Sequence, residues 1–537
     1  REAGQQRVRV KLSVPNTTDY VQASEVIQAM AAEAGIEIEI QQIETATLLR
    51  QWSAGDFEAL MIQWSGRVDV DGNLYAFYAC GTPLNGGHYC SREVDAALTE
   101  ARRSVDPNVR AAAYDRAARI YLHSQVEAGH QCPITMTFAA VPSLRTTPQL
   151  AQLWEPKITA RAYDPRNVPD ADKRGLTIGM AMTEKQGGSD VRANTTRAYP
   201  VGAGGPGQAY ELVGHKYFVS APMCDAFLVL AQAPGGLSCF LMPRWRPDGS
   251  KNPMQVLRLK RKMGNVSNAS SETELRGALA WMVGDEGRGV RTIIEMVAMT
   301  RFDCMVGSSA GQRAAVAQAL HHCSLRSAFG KVLNEQPLMR NVLADLVLES
   351  EGSTALTMRV ARALDHRADE HEDFLVRLCT AVGKYWICKR TPGHAYESME
   401  CIGGSGVMED SPFPRLFRES PVNAIWEGSG NVQCLDVLRA MQKTPPVVGA
   451  FFAELAKARV ANTTLDRYTA ALQKEFGDLG DLEYRARDVV DRMALALQAA
   501  LLVQHAPASV ADAFCASRLG ASGHHNYGAL PRGVDCE

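Results

Sequence analysis

The sequence lacks an excess of charge of either sign. Its lysines and arginines nearly balance its aspartates and glutamates, giving a formal net charge of −2 over 537 residues. Binding of nucleic acid by the surface as a whole requires a basic excess, because phosphate neutralisation dominates non-specific affinity. The balance therefore excludes a general electrostatic attraction to nucleic acid and leaves only a local basic patch to consider.

Paired cysteines and long apolar runs are also missing. The 13 cysteines include no C-x-x-C pair and no Cys/His spacing typical of zinc sites, which favours reduced thiols and a cytoplasmic location. Cys80 and Cys90 offer an alternative, because they bracket the segment GTPLNGGHY and would form a disulfide in an exported protein. The first residues show no signal-peptide pattern, and the apolar stretch Met493–Val503 is too short to cross a membrane.

The first part of the chain has the pattern of an α/β fold. Val8, Val10, Leu12 and Val14 alternate with polar residues, which is typical of a strand, and a helical period follows and ends at Gly35. Strand and helix patterns then repeat through a second alternation and the apolar run at 59–64, and two amphipathic helices follow near 92–103 and from 107 onward. We assign residues 1–117 to an N-terminal α/β fragment.

Two strings in this fragment, GDFEALMIQWSGRVDVDGN at 55–73 and SREVDAALTEARRSVDPNVRAAAYDRAARI at 91–120, resemble the C-terminal lobe of an extracytoplasmic peptide-binding protein of ABC importers. The resemblance implies a fragment of a solute-binding protein. Such proteins close two lobes on their ligand, so we do not expect this fragment to bind peptide alone. Solute binding for an ABC importer is one alternative function for the chain.

From Ala118 onward the sequence resembles a different family. The string AARIYLHSQVEAGHQCPITMTFAAVPSL resembles the end of the N-terminal helical domain of AidB-type proteins, a branch of the acyl-CoA dehydrogenase family. We assign 118–176 to this remnant and expect one helix to run across the joint. The resemblance implies that the first helices of that domain are replaced. Since they help to wall the acyl pocket, we expect activity to be weak or lost.

Beyond this remnant, short alternating segments give way to long helical ones. Five strands separated by turn signals are predicted at 178–182, 210–219, 227–231, 238–243 and 254–259, which indicates a middle β-barrel-like domain at 177–285. Helical periods at 290–329, 336–366 and 374–402 predict a helical bundle at 286–445, followed by a helical extension at 446–537. The predicted fold class is α+β multidomain: an N-terminal α/β fragment, a middle β-barrel-like domain and a C-terminal α-helical bundle, as in acyl-CoA dehydrogenases.

The strongest motif is MTEKQGGSD at Met182–Asp190, in which a strand runs into a turn with two glycines. Glycines allow backbone N–H groups to approach a planar or anionic ligand, although most Gly-Gly pairs between strands are ordinary turns. The whole string is similar to the flavin-contacting loop of acyl-CoA dehydrogenases, and the extension VRANTTRA is typical of the AidB branch. The resemblance implies that FAD contacts Met182, Thr183, Gly188 and Ser189.

Three further strings extend this resemblance. GHKYFVS at 214–220 is similar to the strand beside the isoalloxazine ring, with Phe218 stacking and Ser220 donating a hydrogen bond. RSAFG at 326–330, with Gln336, and ECIGGSG at 400–406 resemble segments that bind the ADP part of FAD, partly across a subunit boundary. The implied contacts are Arg326, Gln336, Gly403 and Gly404, and a homotetramer follows from the cross-subunit positions. Taken alone, an aromatic on a strand is usually core and a helical arginine is usually a solvated surface residue.

The catalytic candidate lies in IWEGSGN at 425–431. Dehydrogenation of an acyl-CoA removes an α-proton while a hydride leaves the β-carbon, so a carboxylate must face the flavin across the substrate. Glu427 occupies the family's glutamate position, and burial would raise its pKa into the range useful to a general base. Without the resemblance, a glutamate in a helix-start turn is an equally good interpretation. Gly428, Ser429 and Asn431 are implied as further FAD contacts.

Two other motifs carry no function. Gly202–Gly207 fits G-x-G-x-x-G, but the strand pattern after Pro206 places it in a hairpin loop. His321, His322 and Cys323, and the pair His524 and His525, lack partner ligands at suitable spacing, so we predict no metal site.

The resemblance implies an FAD-dependent dehydrogenase acting weakly on short or branched acyl-CoA, linked to the alkylation response. A non-enzymatic flavoprotein that binds and protects double-stranded DNA is the alternative, and Arg439 matches a position implicated in that binding. Beyond residue 446, however, acidic residues at least balance basic ones. That balance weakens the expectation of DNA binding relative to that of FAD binding.

Overall fold

A computed structural model describes residues 8–33, 35–54, 56–61, 112–477 and 480–520. The chain divides into two compact units, one formed by Arg1–Arg110 and the other by Ala111–Glu537. The Cys80–Cys90 pair, the helix predicted near 92–103 and most of the two importer-like strings lie outside the described residues.

The first unit contains a small parallel sheet. Its elements are β1 (Val8–Pro15), α1 (Thr18–Glu33), β2 (Ile36–Ile43), α2 (Thr45–Ala54) and β3 (Ala59–Leu60). The strand order is β2-β1-β3, and both pairings are parallel. Parallel neighbours need a crossover connection, which α1 and α2 supply. Strands and helices therefore alternate along these residues.

The second unit begins with three helices: α3 (Ala112–Ser124), α4 (Gln131–Leu144) and α5 (Pro148–Ile158). Helix α3 runs through Ala118, so the helix predicted across the joint is confirmed. Helix α4 packs its buried Met136, Ala139 and Ala140 into the same core as the strands that follow. It also packs against the first long helix of the bundle, and thus connects the β domain to the helical domain.

Seven strands form the middle β domain. They are β4 (Ile178–Ala181), β5 (Arg197–Pro200), β6 (Ala209–Ser220), β7 (Ala226–Ala233), β8 (Gly236–Pro243), β9 (Met254–Leu259) and β10 (Ser270–Val283). The pairings β7–β5–β6–β10–β8–β7 close into a ring, while β4 extends β7 and β9 extends β10. The barrel-like prediction is therefore confirmed. The Gly202–Gly207 segment joins the antiparallel strands β5 and β6, as expected of a hairpin loop.

The helical domain is built on three long helices, α6 (Gly289–Leu325), α7 (Pro337–Asp365) and α8 (Glu370–Ile402). Between α6 and α7 lies a two-stranded hairpin, β11 (Ser327–Ala328) and β12 (Lys331–Val332). Shorter helices follow: α9 (Phe413–Glu419), α10 (Val422–Ile425) and α11 (Gly430–Lys443). Each long helix ends within a few residues of its predicted bounds, so the bundle prediction is confirmed.

Four more helices complete the described chain: α12 (Pro446–Ala456), α13 (Thr463–Glu475), α14 (Ala486–His505) and α15 (Ala508–Arg518). Helix α14 is buried on nearly all sides and joins the core formed by α6, α7 and α8. The extension is therefore part of the bundle core. None of the helices described here is both long and apolar enough to span a bilayer.

Candidate functional site

The loop between α10 and α11 holds Glu427 in an unusual backbone conformation. Glu427 has φ = +57° and Gly428 has φ = +102°, both in the left-handed region. A side chain at φ > 0 is uncommon outside Gly, Asn and Asp, and costs of order 1 kcal/mol or more. A Cβ at position 428 would also come within 2.6 Å of Gln433 Nε2, so glycine is required there by the chain's own packing.

Three buried donors hold this loop by its carbonyl groups. Arg301 Nε donates to Glu427 O at 2.9 Å, and Gln433 Nε2 donates to the carbonyls of Glu427 and Gly428 at 3.0 Å. Lys384 Nζ donates to Trp426 O at 2.8 Å and to Gly428 O at 2.5 Å. These bonds hold the strained turn in its conformation. Backbone strain of this kind persists only where the surrounding structure fixes it.

The Glu427 carboxyl group receives a hydrogen bond from Thr300 of α6, with Thr300 Oγ1 2.8 Å from Oε2. Burial raises the pKa of Glu427 above its ordinary value, while Thr300, Lys384 and Arg301 act in the opposite direction. A carboxylate with a raised pKa is a stronger base than a solvated one. The site therefore has the property that proton abstraction next to a carbonyl group requires.

The carboxyl group opens into a cavity with an empty volume of about 930 Å³. Helix α4 forms one side with Gln131, Cys132 and Thr135, and α6 forms another. The remaining lining includes Asn265 of the β domain and several residues of α9 and α10, among them Leu416, Glu419, Val422 and Asn423. The cavity is lined mainly by apolar and neutral polar side chains, with Glu427 at its wall.

On the β domain, the two predicted flavin-contacting strings lie side by side. Tyr217 N donates to Thr183 O at 2.8 Å, so the strand β6 is joined directly to the Met182–Asp190 turn. Asn194 Nδ2 donates to Met182 O at 2.7 Å and fixes the start of the turn. The ring of Phe218 is 43% exposed, so it is not a core aromatic.

A buried ion pair supports this turn from below. Glu184 Oε1 accepts from Lys216 Nζ at 2.8 Å, and the two side chains are nearly inaccessible to solvent. Burial raises the pKa of Glu184, but Lys216 and the hydrogen bonds from Thr195 and Thr196 outweigh it and bring the pKa to about 2. The carboxylate is therefore ionised over the whole working pH range and holds the turn on β6.

Cys132 of α4 connects the two halves of the site. Burial raises the pKa of its thiol to about 12, the neighbouring Glu427 adds to the rise, and hydrogen bonding with Ser220 and Asn268 opposes it. Cys132 lines the cavity together with Glu427, and its thiol is within hydrogen-bonding reach of Ser220, the last residue of β6.

The turn itself leaves room for a planar ligand. Gly188 and Ser189 are exposed, and a Cβ at position 188 would come no nearer than 3.8 Å to Thr183. No contact within the described chain requires glycine there. The backbone at Gly188 and the ring of Phe218 are therefore both accessible to a ligand.

The other predicted FAD contacts form a separate cluster. Arg326 follows the end of α6 and lines a surface hollow together with Ile402, the residue before Gly403. A Cβ at Gly403 or Gly404 would meet no atom within 4 Å. Gln336 Nε2 donates to Ala328 O at 2.9 Å and thereby fixes the β11–β12 hairpin. The 26 residues from Thr300 to Arg326 correspond to about 39 Å of helix, so this cluster is remote from Glu427 in the same chain.

The remaining predicted contacts, Ser429 and Asn431, lie at the start of α11. Asn431 Oδ1 accepts from Arg487 Nε at 2.9 Å. Ser429 is the N-cap residue of α11, but its side chain makes no capping bond. Among the residues that the structure describes, no group of His, Cys, Asp and Glu side chains is arranged to hold a metal ion. His524 and His525 lie outside that part of the chain.

Arg439 lies on α11, and 57% of its side chain is exposed. Its guanidinium approaches Asp436, which also pairs with Arg301 at 2.8 Å and with Arg377 at 3.0 Å. Arg301 in turn binds the backbone of Glu427. Arg439 therefore belongs to a charged cluster around Asp436. Arg301, in the same cluster, binds the Glu427 loop, whereas Arg439 is exposed to solvent.

Sequence reasoning missed most of the residues that shape the site. Thr300, Arg301 and Lys384 lie more than 40 positions from Glu427 along the chain and carry no motif. Cys132 was one cysteine among many. Only Gln433 had a local signal, because it is one helical turn beyond the loop that it binds.

Three family models match the sequence. They are the AidB N-terminal domain at residues 96–165, the acyl-CoA dehydrogenase middle domain at 179–278 and the acyl-CoA dehydrogenase C-terminal domain at 287–442. The first match starts at residue 96, inside the segment that the sequence analysis assigned to an importer-like fragment. The middle and C-terminal matches cover the β domain and the helices that carry the site.

Individual relatives agree with these matches. The chain is 47% identical over 409 residues to the putative acyl-CoA dehydrogenase AidB of Escherichia coli strain K12, covering 76% of this chain and 74% of that protein. Acyl-CoA dehydrogenase family member 11 of Caenorhabditis elegans is 32% identical over 404 residues, covering 72% of this chain and 64% of that protein. The fold resembles the crystal structure of C. elegans ACDH-11 in complex with C11-CoA, with a TM-score of 0.70, 30% identity and coverage of 77% and 76%. The chain therefore belongs to the AidB-type branch of the acyl-CoA dehydrogenase family and is an FAD-binding flavoprotein oxidoreductase of that kind.

Proposed function

We propose that this flavoprotein catalyses α,β-dehydrogenation of a short or branched acyl-CoA, with Glu427 as the general base. The observation that carries the proposal is the half-buried Glu427 carboxyl group, which Thr300 holds at the wall of the cavity between α4 and α6. The worm relative whose structure holds C11-CoA supports a thioester as the substrate class.

In this proposal, Glu427 removes the α-proton of the thioester. FAD supplies the hydride acceptor when it is bound. Thr300 keeps the carboxyl group directed into the cavity, and the donors on the carbonyls of 426–428 prevent the loop from relaxing. Burial of the carboxyl group raises its pKa, which makes Glu427 a stronger base than a solvated glutamate.

We assign the isoalloxazine ring to the β-domain side of the site. Met182, Thr183, Gly188 and Ser189 would contact it from the turn, Phe218 would stack, and Ser220 would donate a hydrogen bond. The bond from Tyr217 N to Thr183 O and the exposure of the Phe218 ring support this assignment. Gly428, Ser429 and Asn431 remain predicted contacts, although Gly428 and Asn431 already have partners in the chain.

Arg326, Gln336, Gly403 and Gly404 would then serve the cofactor of a second copy. The distance of about 39 Å along α6 separates them from the Glu427 site of their own chain. Arg326 and the adjoining Ile402 share a hollow, which supports a common role in holding a pyrophosphate group. We propose a homo-oligomer, a tetramer as the resemblance implies, in which each site is completed by another subunit.

The dehydrogenase proposal is tested with the Glu427→Gln variant under anaerobic conditions. We expect the variant to keep the absorbance of bound FAD but to bleach about 10²- to 10⁴-fold more slowly with acyl-CoA, the range that a general base contributes. Glu295→Gln, an exposed glutamate on α6, is the control and should bleach at the normal rate. Equal bleaching rates for Glu427→Gln and the unaltered protein would exclude Glu427 as the base.

Binding of double-stranded DNA in the alkylation response remains a prediction that rests on Arg439. Its exposed side chain supports the prediction, while Asp436 beside it already neutralises part of the local charge. Retention on duplex DNA that falls steeply with salt and is lowered by Arg439→Ala would support it. Retention that is absent at low salt would remove the DNA-binding alternative.

Two further predictions concern the first unit and the compartment. The parallel β2-β1-β3 sheet supports an α/β unit in the first part of the chain, and the AidB N-terminal match from residue 96 overlaps the segment assigned to the importer-like fragment. The cysteines of the described residues are free thiols, which supports a reducing compartment such as the cytoplasm.

A further inference from the structure

The cavity beside Glu427 extends along one face of α6. Thr300, Cys304, Gly307, Ser308 and Gly311 line it at the three- and four-residue spacing of a helix face. From Thr300 to Gly311 the helix rises about 16 Å. The end of the cavity away from Glu427 is therefore deep enough to receive the distal part of an acyl chain.

This distal part is polar. Ser124 contributes a hydroxyl group, and its residue is only 4% exposed. A Cβ at Gly307 would lie 3.9 Å from Ser124 Oγ and 3.4 Å from Asn423 Nδ2. Ser124 and Asn423 therefore lie across from Gly307, about 10 Å along α6 from Thr300. A chain that extends from the reacting carbons would meet these groups.

Two of the polar atoms at the cavity have no partner within the described structure. They are Ser124 Oγ and Gln131 Oε1. Asn423 is different, because its amide donates to Ser308 Oγ at 3.1 Å and accepts from Trp426 Nε1 at 2.9 Å. A buried hydroxyl or amide oxygen without a partner is unfavourable, and a ligand that hydrogen-bonds to it recovers the loss. Ser124 and Gln131 therefore favour a ligand with a polar group.

The charges of the lining restrict that group further. Asp303, Glu419 and Glu427 are acidic, and no Lys, Arg or His stands among the described residues that line the cavity. Asp303 is already paired with Arg116 at 2.6 Å and accepts from Thr135. A carboxylate on the acyl chain would be repelled and left without a cation. Gln131 Oε1 requires a donor, which a neutral hydroxyl group supplies.

We propose, building on the dehydrogenase function above, that the preferred substrate is an acyl-CoA whose chain carries a neutral hydrogen-bond donor, such as a hydroxyl group, that binds Ser124 and Gln131. Thr300 and Glu427 act on the thioester end of the substrate, and the two unpartnered atoms of the lining, Ser124 Oγ and Gln131 Oε1, select among acyl chains. Specificity of this kind arises because an unsubstituted chain leaves the buried polar groups unpaired.

The test compares CoA thioesters of equal length in three forms: unsubstituted, ω-hydroxy and ω-carboxy, with hexanoyl, octanoyl and decanoyl chains. The Kd of each thioester is measured from the change that it causes in the flavin spectrum of the full-length Glu427→Gln protein. This variant is used because it should bind the thioester without turning it over. We expect the ω-hydroxy form of at least one length to bind about three- to tenfold more tightly than its unsubstituted partner, as one buried hydrogen bond provides. The ω-carboxy form should bind most weakly.

Variants of the two residues test whether they cause the preference for the hydroxyl group. Ser124→Ala and Gln131→Met, each in the same background, should bring the hydroxyl preference close to one. Ser353→Ala is the matched control, because Ser353 Oγ is also buried and without a partner but does not line the cavity. It should leave the preference intact. The proposal would be overturned if no chain length showed a hydroxyl preference. It would also be overturned if the preference persisted in a protein that carries both Ser124→Ala and Gln131→Met.

Failure of this inference is distinguishable from failure of the dehydrogenase function. If unsubstituted thioesters bleach the flavin and no hydroxyl preference appears, only the substrate class is wrong. If no thioester binds or bleaches the flavin, the dehydrogenase function is wrong and the substrate class falls with it.

Discussion

At the scale of single residues, Lys384 places a positive charge next to the Glu427 loop. Its side chain is buried, and its ammonium group donates to the carbonyls of Trp426 and Gly428. Buried ammonium groups usually pair directly with a carboxylate. Here the charge instead acts on Glu427 through space and lowers a pKa that burial raises. Lys384 is thus a positioning residue that also limits how basic Glu427 becomes.

Lys384→Met tests this double role. Without the Lys384 charge, burial raises the pKa of Glu427 further. Since a general base works only in its ionised form, the variant should lose activity at a higher pH than the unaltered protein does when the solution is acidified. The ascending limb of the kcat/KM profile should therefore move to higher pH. Two buried carbonyls lose a donor, so we also expect a loss of about 1–3 kcal/mol in the free energy of unfolding.

Lys389→Met is the control for that shift. Lys389 lies on the same helix, and the charged groups near it, Arg487 and Asp491, belong to α14. Its variant should keep the pH profile of the unaltered protein. A Lys384→Met protein that loses stability with an unchanged profile would show a structural role alone.

The residues around Glu427 also mark the limit of sequence reasoning. The glutamate was identifiable because WEGSGN is a contiguous string. Arg301 and Lys384 act on the same loop from α6 and α8, and nothing in their own neighbourhoods indicates that contact. Their role depends on how three helices pack, which no local pattern encodes. The left-handed backbone at Glu427 was equally invisible, because a glutamate does not favour it.

At the scale of elements, the Met182–Asp190 turn depends on the ion pair below it. Glu184 accepts from Lys216, from the backbone N–H of Thr195 and from that of Thr196. Lys216 is completely buried, and burial lowers its pKa to about 8 although Glu184 opposes the change. The pair joins the turn to β6 and, together with the bond from Tyr217 N to Thr183 O, keeps the predicted flavin-contacting strings in their relative positions.

Lys216→Met should therefore loosen the turn and weaken FAD retention. It leaves Glu184 as a buried carboxylate without its cation, for which we expect a loss of about 3–5 kcal/mol in the free energy of unfolding. Chemical denaturation measures the stability, and absorbance after gel filtration measures the retained flavin.

The double variant Glu184→Gln/Lys216→Met should recover part of this loss, because no uncompensated charge remains. Lys185→Met, in the same turn but exposed, should behave as the unaltered protein. A double variant no more stable than the single one would contradict the role assigned to the charge pair.

Strands with an alternating pattern were predicted well, and the longest one was missed. β10 spans Ser270–Val283 and pairs with β6, β8 and β9 at the centre of the barrel. Its first residues, Ser270–Thr273, are polar and yet buried. Two shifts of register with β6 break the period of two as well. The first half of the segment therefore lacks alternation, and the short apolar run ALAWMV at 278–283 does not by itself distinguish a strand from a buried helix.

At the scale of the whole molecule, the exposed apolar surface near Arg326 supports the proposed homo-oligomer. Leu325, Phe329 and Leu338 are 70%, 99% and 80% exposed. They surround the hairpin between α6 and α7, next to the predicted pyrophosphate contacts. Large apolar side chains grouped at one place on a surface often mark an interface. Burying them against a second subunit would bring Arg326 to that subunit's site.

Phe329→Asn tests the proposed assembly without disturbing the hairpin, because Phe329 has φ = +52° and asparagine tolerates that conformation. Loss of one buried aromatic side chain should weaken self-association about tenfold or more, which sedimentation velocity detects as smaller species on dilution. If the sites share residues across subunits, FAD should be released over the same range of protein concentration. Val460→Asn is the control, since Val460 is also exposed and has φ = +70° but lies between α12 and α13. Unchanged sedimentation of Phe329→Asn would exclude this surface as the interface, and FAD retained by its dissociated form would show that each chain binds the cofactor alone.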